Sequence, residues 1–263
     1  GLGNRLRAIA SAAMIAEDMG RELVVVWAPD AHCDCRLGDL FDYQGASVDR
    51  PLMDQVQDQG ATIIDLMAAG LEAKGMALPD CPAGRDLYVR SAFVVPSPLT
   101  DWASECEFLR TLRPVAAVHD LVQSVRHPND VAIHIRMQGG QEYEHLAFES
   151  PQNWSAEDHA LIAHWRAKSH FGHFMTRLDE LLVQGQAGQM FLAADLPQTY
   201  EHFQGKYGSR LAFLPRAQYD RSAEQLRYAL ADAILLGRAP RLLGSTWSSF
   251  TELAMRLAPV RQK

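Results

Sequence analysis

Arginine, histidine, aspartate and clustered hydroxyls occur at four places where an apolar run meets a polar one. The chain opens on "GLGNR", which holds Gly3, Asn4 and Arg5. "HIR" places His134 and Arg136 two residues apart, so both side chains point to one face of an extended strand. "AADLP" places Asp195 directly after an apolar run, and "GSTWSSF" holds Ser245, Thr246, Ser248, Ser249 and Phe250. These residue types suit an anion. Hydroxyls together with free N–H groups at a helix start form an anion site. An arginine such as Arg136 supplies a planar cation whose fork matches phosphate. A plain Ser/Thr helix cap is the competing reading of "GSTWSSF".

Other chemistries find less support. "GLG" lacks the third glycine of the dinucleotide fingerprint, and no acidic residue closes the following strand. The glycines therefore give only a weak pointer to a nicotinamide-dependent oxidoreductase. Neither a phosphate-binding "GxxxxGK[ST]" loop nor a "GxSxG" nucleophile elbow is present. "HCDC" (His32, Cys33, Cys35) has no second Cys/His cluster at zinc spacing, so no metal is expected. With Cys81 and Cys106 these cysteines read as reduced thiols rather than a disulfide framework. His159, His164, His170 and His173 fit a solvated or bridging helix face.

The elements that must position these groups alternate. Arg5 to Met19 has helical apolar spacing and stops at Gly20. "ELVVVW" (Glu22–Trp27) has the β-branched pattern of a buried parallel strand. Strands are further expected at Thr62–Leu66, Leu87–Val95, Val131–Arg136, Gln189–Ala194, "RLAFL" and "PRLLG". Helices are expected at Ala103–Leu112, Val115–Val125, Ser155 to about Val183, from Pro197, Ser222–Leu236 and Trp247–Leu257. Alternation of this kind builds parallel sheets from βαβ units. The expected fold is α/β with two Rossmann-like lobes, residues 1–125 and 126–263. Ligands of such sheets bind at the carboxyl ends of strands.

The chain has 263 residues, 48% of them hydrophobic, enough for packed cores. A net charge of -7 argues against non-specific nucleic-acid binding. No apolar stretch approaches the roughly 20 residues of a membrane span, and no signal peptide is seen. A cytoplasmic setting is expected, although the first residue is Gly, so an anchor or targeting segment could precede it.

Taken in order, "GLGNRLRAIASA…GRELVVVW", "VAIHIR", "FLAADLP" and "DAILLG…LLGSTWSSFTELA" resemble the fucosyltransferase superfamily of two-lobed GT-B architecture. This superfamily includes α1,6-, nodulation and protein O-fucosyltransferases. The resemblance implies GDP-fucose as donor, a glycan or other hydroxyl acceptor, inversion at the anomeric carbon, and no metal. It implies that Arg136 binds the β-phosphate and stabilises departing GDP, as a metal-free reaction needs. It implies that His134 faces guanine and that Asp232 accepts from guanine N–H groups. Ser248, Ser249 and Phe250 would match the phosphate-and-ribose loop. Asn4 and Arg5 would face fucose and acceptor, in an N-terminal acceptor lobe opposite a C-terminal GDP-sugar lobe. It also implies a short strand before the opening loop, so the first lobe is expected to lack its first strand.

The chain departs from this pattern. Met137 stands where the second arginine of "HxRR" falls, and only Asp195 remains of the paired acids of "ATDD", Leu196 following it. A different GDP-sugar, or a non-catalytic nucleotide-sugar or glycan-binding module, are the alternatives these departures raise. Glu142 and Glu144 are candidates for the base that takes the acceptor proton, Glu144 by its offset of eight from Arg136. Gly139 and Gly140 would let the intervening loop move.

Overall fold

The structure is a computed structural model that describes residues 1–68, 81–82, 84–139, 146 and 155–260. The chain divides into two compact units, Gly1–Val115 and Ala116–Lys263. The division falls one helix earlier than the sequence boundary, because α4 (Ala116–Gln123) packs on α8 (Ala223–Arg238) of the second unit.

The first unit opens directly with α1 (Leu2–Asp18). Its helical repeat starts at Leu2 and buries Leu2, Leu6, Ala10 and Ala13 along one stripe. The opening residues are therefore not a loop: Gly3, Asn4 and Arg5 lie in the first turns of the helix. The strands pair in parallel, β1 (Val24–Val26) with β2 (Ala46–Val48), and β3 (Thr62–Asp65) with β4 (Leu87–Arg90). Among the described residues no ladder joins the two pairs. β2 and the short α2 (Met53–Asp58) lack a strong apolar period and were not legible in sequence. Ile15, Ile64, Leu66 and Val95 form a buried apolar cluster, and α3 (Trp102–Thr111) packs on α1. Asp101 caps α3 by accepting from Ala103 N and Ser104 N.

The second unit holds one parallel sheet, in strand order β7-β6-β5-β8. β5 (Val131–Ile135) is central, with β6 (Met190–Ala194) and β8 (Arg241–Gly244) on either side and β7 (Leu211–Ala212) at the edge. Every residue of β5 is buried, which fits an apolar run broken only by His134: both faces of the sheet are covered. Val131, Ile133 and Ile135 pack with Leu178 and Leu181 of α6 (Phe171–Val183) and Tyr200 and Phe203 of α7 (Pro197–Tyr207). Alternation sends Ala132 and His134 to the opposite face, toward α8 and α9 (Ser249–Leu257).

The long helix expected from Ser155 is two helices, α5 (Ala156–Lys168) and α6. Ser155 and Asp158 form the expected capping box. The break falls at Ser169 and His170. His170 caps α6 by accepting from Gly172 N at 3.2 Å, a task no period in the sequence announces. No helix among the described residues is long and apolar enough to cross a membrane.

Candidate functional site

Register assembles the site. β5 and β6 pair Ile135 with Ala194, so Arg136 and Asp195 leave the sheet side by side. β5 and β8 pair His134 with Gly244, so Ser245 leaves at the same edge. Three stretches far apart in sequence thus meet at the carboxyl ends of three parallel strands, the ligand edge of such sheets.

Asp195 organises this edge. One carboxylate oxygen lies 3.2 Å from an Arg136 guanidinium nitrogen. The carboxylate also accepts from Met137 N at 3.1 Å and Gln138 N at 2.8 Å, fixing the chain that leaves β5. Charge-assisted bonds of this kind are about twice as strong as neutral ones. Asp195 therefore holds Arg136 in place.

Ser245 stitches β8 to β5. Its Oγ accepts from Arg136 N at 2.8 Å and donates to the His134 carbonyl oxygen at 3.2 Å. Its own N–H reaches that carbonyl at 3.0 Å. Buried and engaged on both sides, this hydroxyl serves the strand ends rather than an open anion site. Thr246 is exposed in the turn that follows. Ser248 is the N-cap of α9, accepting from Thr251 N, as the capping reading expects. Ser249 opens the helix, and its first turn supplies the N–H groups that draw anions.

His134 is buried, its ring 4.8 Å from that of Phe250. Its Nδ1 lies 2.7 Å from Thr251 Oγ1, which in turn lies 3.1 Å from the Ser245 carbonyl oxygen. Burial, aided by the charges of Arg136 and Arg166, depresses its pKa from 6.5 to about 3. Gly244 makes room for this arrangement, since a Cβ there would overlap Thr251 Cγ2. Thr251 and Gly244 lie within the quoted "LLGSTWSSFTELA" block, but the sequence did not single them out. A hydroxyl one turn into the helix after a capped serine was the available signal.

Arg166 of α5 was also missed. A Cβ on Gly139 would come within 3.3 Å of its Cγ and Nε, which places it against the chain leaving β5. Met137, at the second arginine position, packs instead on the apolar cluster beneath the sheet.

Asp232 lies on α8. It is buried, with one oxygen 2.5 Å from the Arg216 guanidinium. The other oxygen, Oδ1, is buried without a hydrogen-bond partner among the described residues. Burial pushes its carboxyl up from 3.8 to about 6, against the pull of Arg216. Arg216 also lies 4.9 Å from the Tyr228 ring. Tyr200 beside this pair is tied to the sheet, its OH bonding Ala194 N and O.

The opening residues belong to the first unit. Arg5 pairs with Asp30 at 2.8 Å and lies 5.0 Å from the Trp27 ring. Asn4 Oδ1 is buried without a partner among the described residues, and Gly3 is buried in the helix. Cys33 and Cys35 are buried free thiols, sulfurs 3.7 Å apart. Glu142, Glu144 and Gly140 lie outside the described residues.

A buried parallel sheet with an arginine, a carboxylate and a capped helix start at its carboxyl edge defines an α/β protein of the doubly wound type. Comparison with solved structures narrows the fold to that of the fucosyltransferases. A NodZ α-1,6-fucosyltransferase structure soaked with GDP-fucose matches with a TM-score of 0.62 and 16% identity, over 98% of this chain and 90% of that one. An Arabidopsis thaliana FUT1 structure in complex with GDP matches with a TM-score of 0.58 and 17% identity, over 98% and 66%. POFUT1 in complex with GDP-fucose matches with a TM-score of 0.51 and 13% identity, over 97% and 89%. At these identities the likeness is one of fold, and it agrees with the resemblance carried by the four motifs. No protein-family model and no curated protein sequence matches the chain.

Proposed function

We propose that the chain is an inverting, metal-independent glycosyltransferase that transfers fucose from GDP-fucose to a glycan or other hydroxyl acceptor. The observation that carries this reading is Arg136, fixed by Asp195 and Ser245 at the strand ends from which the chain runs on into α9. Glycosyl transfer to a hydroxyl expels a nucleoside diphosphate, so negative charge develops on the β-phosphate. A preorganised cation and helix N–H groups stabilise that charge without metal. Arg166 supplies a second positive charge near His134, where the chain has Met137 in place of a second strand-end arginine. The structural neighbours bind GDP or GDP-fucose at the same fold, which supports the choice of donor.

In this reading the second unit is the GDP-sugar lobe and the first the acceptor lobe, with Asn4 and Arg5 on the acceptor side. His134 and Phe250 face the base. The unpaired Oδ1 of Asp232 is a buried acceptor, suited to a guanine N–H. Ser248 and Ser249 carry the phosphates through the start of α9, and Ser245 positions Arg136. Glu144 is the proposed acceptor base on its sequence offset, and Glu144→Gln should remove transfer while leaving GDP binding.

The test is direct. Millimolar GDP should raise the melting temperature, and GDP-fucose with a competent acceptor should release GDP. Arg136→Ala should lower release by about 10²–10³-fold while the fold persists. No thermal shift with GDP would sink the reading. The apolar seat of Met137 favours a second reading, a nucleotide-sugar-binding module without turnover. Binding without any donor hydrolysis or transfer across an acceptor panel would establish that one instead.

A further inference from the structure

The strand-end hydrogen bonds determine where the His134 proton sits. A threonine hydroxyl has one hydrogen to donate, and a carbonyl oxygen only accepts. Thr251 Oγ1 is within hydrogen-bond distance of both the Ser245 carbonyl oxygen and His134 Nδ1. Its hydrogen goes to Ser245, so its oxygen must receive a hydrogen from Nδ1. The imidazole is neutral at ordinary pH, held so by burial and by Arg136 and Arg166. A neutral imidazole has one N–H, which leaves a lone pair on Nε2. Nε2 has no hydrogen-bond partner among the described residues.

We infer that Thr251 is a positioning residue that sets the tautomer of His134, making Nε2 a hydrogen-bond acceptor toward the ligand of this site. The identity of that ligand rests on the GDP reading above; the tautomer does not. An acceptor at Nε2 selects a base edge that donates, and guanine carries both a ring N–H and an amino group. The opposite tautomer would set donor against donor, losing one hydrogen bond and adding a repulsion. Gly244 belongs to the same device, because only the absence of its Cβ lets Thr251 sit this close.

The test begins with ligand-free protein labelled with ¹⁵N-histidine. The His134 signals in a long-range ¹H–¹⁵N spectrum are identified by their loss in His134→Asn. At neutral pH the wild type should show a protonated Nδ1 and a bare Nε2. Thr251→Val keeps the side-chain shape but removes the acceptor. It should populate the other tautomer and weaken GDP about tenfold, the worth of one hydrogen bond. Thr251→Ser should keep both tautomer and affinity. A proton on Nε2 in the wild type overturns the inference, even should Thr251→Val fail to fold. So does a Thr251→Val protein that keeps both the Nδ1–H form and the GDP affinity. If wild type does not bind GDP at all, the glycosyltransferase reading falls, and the ligand-free spectra still decide the role of Thr251.

Discussion

The two units hold their arginines in different ways. Arg136 leaves a strand buried on both faces, and neighbouring strands in register bring Asp195 and Ser245 to it. Its side chain is 17% exposed and that of Asp195 12%. Arg5, on a helix over Trp27, is as shielded at 18% exposed, but its partner Asp30 is 53% exposed. With its carboxylate open to solvent, such a pair is screened and contributes about 0–1 kcal/mol. Parallel strands deliver several side chains and backbone groups to one edge at once, and each fixes the others. A helix offers its side chains one at a time. The second unit therefore holds a preorganised charge, and the first holds a charge that can be exchanged at little cost.

The largest way to break this contrast is to unpair a buried charge. Asp232→Ala leaves the Arg216 guanidinium buried and uncompensated, which should cost about 3–5 kcal/mol of stability by urea unfolding. Arg136→Ala should lower GDP release with acceptor by about 10²–10³-fold, with the melting temperature little changed. Gly244→Ala should cost about 1–3 kcal/mol by forcing Thr251 aside, and should weaken GDP as well. Arg5→Ala should cost no more than about 1 kcal/mol and leave the GDP Kd within about twofold, read by calorimetry.

Titration sharpens the comparison within the second unit. His134 is depressed from 6.5 to about 3, so the unfolded chain binds more protons in that window and this group's stability is lost as pH falls through it. Asp232 is raised from 3.8 to about 6, so the folded chain binds more protons there and stability is lost as pH rises through that window. The two oppose one another between about pH 4 and pH 6. Unfolding free energy measured across that range should fall more steeply on acidification in Asp232→Asn than in wild type. His134→Asn should remove the acid loss. GDP affinity should rise as Asp232 ionises through about pH 6, and that rise should vanish in Asp232→Asn.

Much of the frame was legible because local patterns report burial. The apolar-rich segments Val131–Ile135, interrupted only by His134, and Met190–Ala194 became central strands, and the Ser155 capping box and the Ser248 cap stand where the residue types placed them. The opening residues misled, because glycines beside polar residues suggest a loop while the Leu2–Leu6–Ala10 repeat already made a helix. The break at Ser169–His170 was hidden because both flanking segments carry helical residue types.

Residue types and their spacing picked out groups suited to an anion, the alternation of strands with helices, and the place of Arg136, Asp195 and the serines after apolar runs. Which partners each of them meets was set by the folded sheet. Strand register set Arg136 beside Asp195, and it turned the Ser245 hydroxyl inward to join two strands. Packing of α9 against β5 brought Thr251 to His134, and packing on α8 put Asp232 against Arg216. Side-chain chemistry is local and can be read from the chain. A hydrogen-bond partner or a displaced pKa depends on burial and on neighbours far apart in sequence, which exist only once the sheet has formed.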